Sequence, residues 1–229
     1  MADNAGLMIT GASGTVGQAI IGHLQAAESP SLYALGRTRP AGMQPRDQFH
    51  QLDLSDHAAV EAMAIRITGR ALVTGLICAA GTDCRARLGS LDPAEFRECI
   101  QVNCLSHLQL LQAICQQPTP PGALLPIAVI SSDVIGQKLP GTLVYAAAKA
   151  AAEESIRHAA SDLPPPGAAI LIVRLPDIGV AMQAGTRSTP PPRRTDAVRP
   201  LPILDAAARA VARFVAHPPA TASLEIWHA

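Results

Sequence analysis

Short apolar runs recur along the chain between stretches with helical spacing. Leu7-Met8-Ile9, Leu32 to Leu35, Phe49 to Leu54, Leu72 to Ala79, Ile127 to Ser131, Ala169 to Arg174 and Leu224 to Trp227 read as strands. Between them, Val16 to Ala27, Asp56 to Thr68, Tyr145 to Ser161 and Ile203 to His217 read as helices, and Asp92-Pro93 opens a long helix running through Gln117. Asp56 is placed to cap its helix, and a proline in a first turn is tolerated because its missing N–H has no intrahelical partner there. Runs that are apolar throughout, rather than alternating, belong to strands covered on both faces. Strand and helix in alternation therefore predict an α/β architecture: a doubly wound parallel sheet of about seven strands with helices on both faces.

A chain of 229 residues fits one domain of this kind, spanning 1–229. Hydrophobic residues make up 48% and charged residues 16%, a globular composition. Eighteen basic and eighteen acidic side chains balance, leaving no basic field to attract nucleic acid or an acidic membrane. No charged n-region with an apolar follow-on opens the chain, and the run Val73 to Ala80 is too short to span a bilayer. A cytoplasmic location is expected. The five cysteines (Cys78, Cys84, Cys99, Cys104, Cys115) form no CxxC pair and read as reduced structural thiols. The seven histidines show no metal-ligand spacing and are expected mostly at the surface or an interface, so no metal site is predicted. Pro118 to Pro121 and Pro164 to Pro166 read as short links. A longer irregular segment, Gly185 to Pro202, carries Arg187, Arg193, Arg194 and Arg199 against one acid, Asp196.

The first strand runs into Thr10-Gly11-Ala12-Ser13-Gly14-Thr15-Val16-Gly17, and a helix follows. Glycines at such a turn let backbone approach a pyrophosphate, and the helix N-terminus supplies N–H groups and positive dipole. The same spacing also serves a tight turn with close helix packing. After the second strand there is no acid between Glu28 and Asp47; Gly36-Arg37-Thr38-Arg39 stands there instead. A guanidinium pairs with a phosphate bidentately, which favours the 2′-phosphate of NADP over the 2′-hydroxyl of NAD, the other reading being a solvated surface arginine. Asp53, after the third strand, is placed for the adenine edge or for an ordinary turn. In Tyr145-Ala146-Ala147-Ala148-Lys149, positions four apart share a helix face. An ammonium beside a phenol favours phenolate, so Tyr145 is expected to have a lowered pKa and to serve as proton donor. Ser132, ending a strand, is placed to hydrogen-bond a substrate carbonyl. Asp133 beside it reads as solvated.

With these residues together, the chain resembles the short-chain dehydrogenase/reductases from Leu7 to about Met182, and the resemblance implies a Rossmann-type fold. It assigns cofactor contacts to Gly11, Ser13, Gly14, Thr15, Val16 and Gly17, to Arg37, Asp53 and Leu54, and to Ala79, Ala80 and Gly81 in the family's post-strand element. Tyr145, Lys149, Pro176 and Ile178 complete the set. Ser132, Tyr145 and Lys149 match the catalytic Ser, Tyr and Lys. Asn103 matches the active-site Asn, which holds a water linking Lys149 to solvent. Lys149 also holds the nicotinamide ribose. Some positions depart from the pattern: Thr15 replaces a middle glycine, Asp177 follows Pro176 in place of glycine, and the downstream threonine is missing near Ala181. The final strand lacks the usual Asp-Gly-Gly after it and ends as Glu225-Ile226-Trp227-His228.

The resemblance implies an NADP(H)-dependent ketoreductase-type enzyme interconverting a carbonyl and a secondary alcohol. It implies a homodimer or homotetramer built on the helices beginning near Asp92 and Tyr145, and a substrate-covering loop at 183–202. The arginine excess there points to an anionic or carrier-linked small-molecule substrate. Two other readings stay open: an epimerase- or dehydratase-like relative with tightly held cofactor, and a non-catalytic NADP-binding regulator.

Overall fold

The computed structural model describes residues 5–26, 30–118, 122–178 and 201–228. Seven strands, β1 (Ala5–Thr10), β2 (Ser31–Gly36), β3 (Gln48–Gln51), β4 (Leu72–Cys78), β5 (Leu125–Ser132), β6 (Ala168–Leu175) and β7 (Ser223–His228), form one sheet in the order β3-β2-β1-β4-β5-β6-β7. Every neighbouring pair is parallel. The helices are α1 (Thr15–Ala26), α2 (His57–Thr68), α3 (Pro93–Ile100), α4 (Ser106–Cys115), α5 (Leu143–Ser161) and α6 (Leu201–Ala216). This is the doubly wound α/β fold. The order reverses between β1 and β4, and in such sheets the ligand crevice opens at that switch, beyond the carboxyl ends of the strands.

Alternation along the strands divides the core. Ile127 and Val129 of β5 with Ile170 and Ile172 of β6 pack against Val60 and Met63 of α2, Leu110 and Ile114 of α4 and Ile156 of α5. Ala128 and Ile130 with Leu171 and Val173 face Ile20 and Leu24 of α1 and Val211 and Val215 of α6. Each fully buried aliphatic of this size contributes about 1.5–3 kcal/mol. Burial on both faces is why these strands read as unbroken apolar runs.

The expected caps are in place. Asp56 accepts from Ala59 N at 3.0 Å, and Asp92, followed by Pro93, accepts from Ala94 N at 2.8 Å. The single helix expected from Asp92 through Gln117 is interrupted: a π-helical turn, Gln101–Leu105, separates α3 from α4. There Asn103 Nδ2 donates to the Cys99 carbonyl at 2.9 Å, and such side-chain bonds compete with the helix ladder. The last helix starts at Leu201 rather than Ile203, so the end of the expected loop, 201–202, is helical. The rest of that loop, with Arg187, Arg193, Arg194 and Arg199, lies outside the described residues. Among the described residues no helix is long and apolar enough to cross a membrane.

Candidate active site

The glycine turn sits where β1 passes under α1. Gly11 adopts φ +64°, and a Cβ there would stand 2.6 Å from Ala80 N; one on Gly17 would stand 2.2 Å from the Gly11 carbonyl. Both glycines are thus required by close approach, the first against the end of β4 and the second where helix meets turn. Gly14 and Thr15 are exposed at the start of α1, and Ser13 and Val16 are half-buried. The first turn of an α-helix has N–H groups without intrahelical partners. Gln18 Nε2 donates to the Ser13 carbonyl at 2.8 Å and holds the turn. These features fit the pyrophosphate of a dinucleotide.

Below the turn, Thr10 Oγ1 accepts from Ala80 N at 3.2 Å and shares a 3.1 Å hydrogen bond with His107 Nε2. The ends of β1 and β4 are thereby tied to α4. Burial, with the Lys149 charge adding to it, pushes His107 down to about 3, so its imidazole is neutral. Arg37 is exposed beyond β2. Asp53 lies beyond β3, its carboxyl held low chiefly by the Ser55 N–H, with the Ser55 hydroxyl and the Arg37 guanidinium assisting. Leu54 is buried next to it. Ala79 to Gly81 follow β4, and Pro176 and Ile178, both half-buried, follow β6.

On α5, Tyr145 and Lys149 share the buried face, at 8% and 4% exposure. Lys149 Nζ donates to the Ile130 carbonyl at 2.9 Å and stands 5.8 Å from the centre of the Tyr145 ring. The phenol is hydrogen-bonded to the side chain of Ser132, and Ser132 Oγ accepts from Val134 N at 3.3 Å. Asn103, also buried, donates through Nδ2 to the Thr82 and Cys99 carbonyls, each at 2.9 Å, while its Oδ1 accepts no hydrogen bond. Ser132, Tyr145, Lys149 and Asn103 therefore converge at the carboxyl edge of the sheet, the edge that also carries the glycine turn.

The profile of the short chain dehydrogenase family matches residues 6–191, most of the chain. The chain belongs to that family. No curated protein matches this short chain dehydrogenase in sequence. Its fold is shared with solved structures. An alcohol dehydrogenase from Thermococcus sibiricus, complexed with 5-hydroxy-NADP, is 22% identical with a TM-score of 0.73, the match covering 98% of this chain and 96% of that one. A protein provisionally named a betaketoacyl-ACP reductase is 26% identical with a TM-score of 0.73, covering 98% and 96%. A Brucella ovis oxidoreductase with partially ordered NAD is 20% identical with a TM-score of 0.73, covering 98% and 99%.

Two expectations for this dehydrogenase need correction. The Tyr145 phenol is not lowered: burial, followed by the Asp83 carboxylate, pushes it well above the usual range. Lys149 is instead the lowered partner, brought down by burial to about 8. Proximity of charge was visible in the sequence, whereas loss of solvent, which dominates here, was not. The histidines lie mostly at the surface, and His107 is the buried exception. Asp133 is half-buried rather than solvated; burial raises its carboxyl, which accepts from Gln137 Nε2 at 2.7 Å. The sequence reading also missed Thr10, Asp83 and Glu153. Of these, Glu153 carried a signal, since it stands four after Lys149 on the same helix. The cysteines are free thiols, all raised by burial, as expected of structural ones. Among the described residues no cluster of metal-ligating side chains occurs.

Proposed function

We propose that this protein interconverts a carbonyl and a secondary alcohol with NADP(H), as a ketoreductase-type enzyme. The observation that carries the reading is the buried Tyr145–Lys149 pair, with Ser132 bonded to the phenol, at the sheet edge that carries the glycine turn. NADP(H), when bound, supplies or accepts the hydride. Gly11, Ser13, Gly14, Thr15, Val16 and Gly17 would hold the pyrophosphate, and Arg37 would pair with the 2′-phosphate. Asp53 and Leu54 would meet the adenine; Ala79, Ala80 and Gly81 would line the middle of the cofactor, and Pro176 and Ile178 its nicotinamide side. The absence of an acid at the β2 corner supports NADP. The likeness to other structures leaves the choice open, since one similar structure holds 5-hydroxy-NADP and another NAD.

In reduction, Ser132 orients and polarises the carbonyl oxygen and Tyr145 donates the proton. Lys149, close to neutrality in its own titration, positions the ribose and returns a proton to the phenol. Asn103, through its buried Oδ1, holds the water that joins Lys149 to solvent. The substrate is proposed to carry a carboxylate, a phosphate or an acidic carrier, on the strength of the arginines between 187 and 199. Assembly as a homodimer or homotetramer and a cytoplasmic location belong to the same reading. The test is NADPH oxidation against ketones, keto acids and carrier-linked ketoesters. Turnover with at least one class is expected; absence of turnover with all of them, together with absence of NADPH binding, would overturn the assignment.

A further inference from the structure

Behind Lys149 lies a partly buried ionic cluster that the mechanism above does not use. Glu153, one helical turn after Lys149 and 4% exposed, accepts from Arg174 through Nε at 2.9 Å and Nη2 at 2.6 Å. It also accepts from Ser131 Oγ at 2.5 Å. Ser131 and Arg174 are register partners in the β5–β6 pair, as are Ser132 and Leu175, the residues that follow them. One carboxylate therefore ties α5 to the ends of both strands, immediately before Ser132 on one and Leu175 on the other. Burying an ion pair is costly, and a fold for which well-packed apolar residues would serve equally has no need of one.

The titratable groups around Lys149 are Tyr145 and Glu153 on its own helix, Cys78 of β4, Cys99 of α3 and His107 of α4, with Arg174 of β6 behind Glu153. Burial pushes both thiols up, Cys99 to about 12, and holds His107 neutral, so near neutrality neither thiol carries a charge. Glu153 is the anion of this set. We propose that Glu153, clamped by Arg174 and Ser131, is a positioning residue that keeps the Lys149 ammonium charged and in place. The role rests on the reading of Lys149 given above.

The chain has two lysines, Lys138 and Lys149, so protein labelled with ¹³C at lysine Cε gives two signals to titrate, the exposed Lys138 serving as internal standard. Lys149 in the full chain should titrate near 8. In Glu153→Gln its midpoint should fall by about half a pH unit or more while Lys138 stays fixed, since losing one nearby opposite charge disfavours the charged form. The alkaline limb of NADPH-linked turnover should move the same way. Glu153→Gln alone leaves the half-buried Arg174 without its carboxylate partner and is expected to unfold at lower temperature. Glu153→Gln with Arg174→Leu removes both charges; it should regain thermal stability yet keep the lowered Lys149 midpoint. An unchanged midpoint in both variants, with only the melting temperature altered, would reduce Glu153 to a structural residue. This titration needs neither cofactor nor substrate, so its failure is distinct from a failure of the Tyr145 assignment, which turnover alone decides.

Discussion

On the β1–α1 side of the crevice the protein presents mainly backbone: two glycines in close contact, exposed Gly14 and Thr15, and the opening N–H groups of a helix. On the β5–α5 side it presents side chains. Of the eleven buried polar or charged side chains among the described residues, Thr10 and Asp47 precede β4 and the other nine follow it. On the proposed reading the contrast follows from the two tasks. A pyrophosphate has a fixed charge and place, so oriented amides and a helix dipole hold it without any group changing protonation. A moving proton needs groups whose pKa values are displaced, and burial is what displaces them. The first side is therefore sensitive to a single added methyl, the second to a single lost charge or hydroxyl.

The comparison breaks most visibly at Gly17. Gly17→Val puts carbon where 2.2 Å separates an added Cβ from the Gly11 carbonyl, so α1 must withdraw from the turn. NADPH affinity is expected to fall about a hundredfold, in line with backbone strain of 1–3 kcal/mol. A fluorescence titration measures it, and the lysine Cε titration should show Lys149 unmoved. A comparable effect on Lys149 would mean that the two sides are not separate.

The proposed Arg37 contact is expected to contribute less. Hydrogen bonds to charged groups are worth roughly 1.5–3 kcal/mol, so NADPH should bind about ten- to a hundredfold more tightly than NADH, and Arg37→Asp should erase or reverse the preference. Equal affinities in the unaltered protein would contradict it. His107 probes the seam between the sides. Its folded pKa is depressed to about 3; below about 6.5 the unfolded chain therefore binds a proton that the folded chain does not, and stability falls as pH falls from 6.5 toward 3. The slope from this group approaches about 1.4 kcal/mol per pH unit. Denaturant unfolding of His107→Gln, which keeps a hydrogen-bonding group near Thr10, should show a shallower acid decline; an identical decline would place the acid sensitivity elsewhere. The smallest effect is expected at Asp83, half-buried and ion-paired to Arg85 at 2.7 Å. Asp83→Asn should lower the Tyr145 phenol by a fraction of a unit, readable as an ultraviolet phenolate titration in a Tyr33→Phe background, since Tyr33 is the other tyrosine.

The sheet, its parallel sense and the turn at Gly11 to Gly17 were legible because apolar runs and glycine spacing are local patterns. Tyr145, Lys149 and Ser132 were legible because a helix brings together positions four apart and a strand end marks the crevice. The break at Gln101–Leu105 was not, since the helical spacing of apolar residues runs through Ile100, Cys104 and Leu108 without interruption. At the break Asn103 donates to the Thr82 carbonyl, twenty-one residues away, as well as to that of Cys99. Glu153 showed only its spacing of four from Lys149; its partners Ser131 and Arg174 meet only through the register of β5 on β6. The direction of the Tyr145 shift was not legible, because a sequence shows which charges lie near a group but not how much water it has lost.

The central claim is that Tyr145 delivers the proton from a site the chain itself assembles. Tyr145→Phe keeps the ring, and with it the packing on Lys149 and the cofactor surface, and removes the hydroxyl alone. Its turnover on the best substrate found with NADPH should fall about 10²–10⁴-fold, the range for loss of a general acid, while the dissociation constant for NADPH stays within about twofold. Retention of more than half the turnover would show that the proton comes from elsewhere.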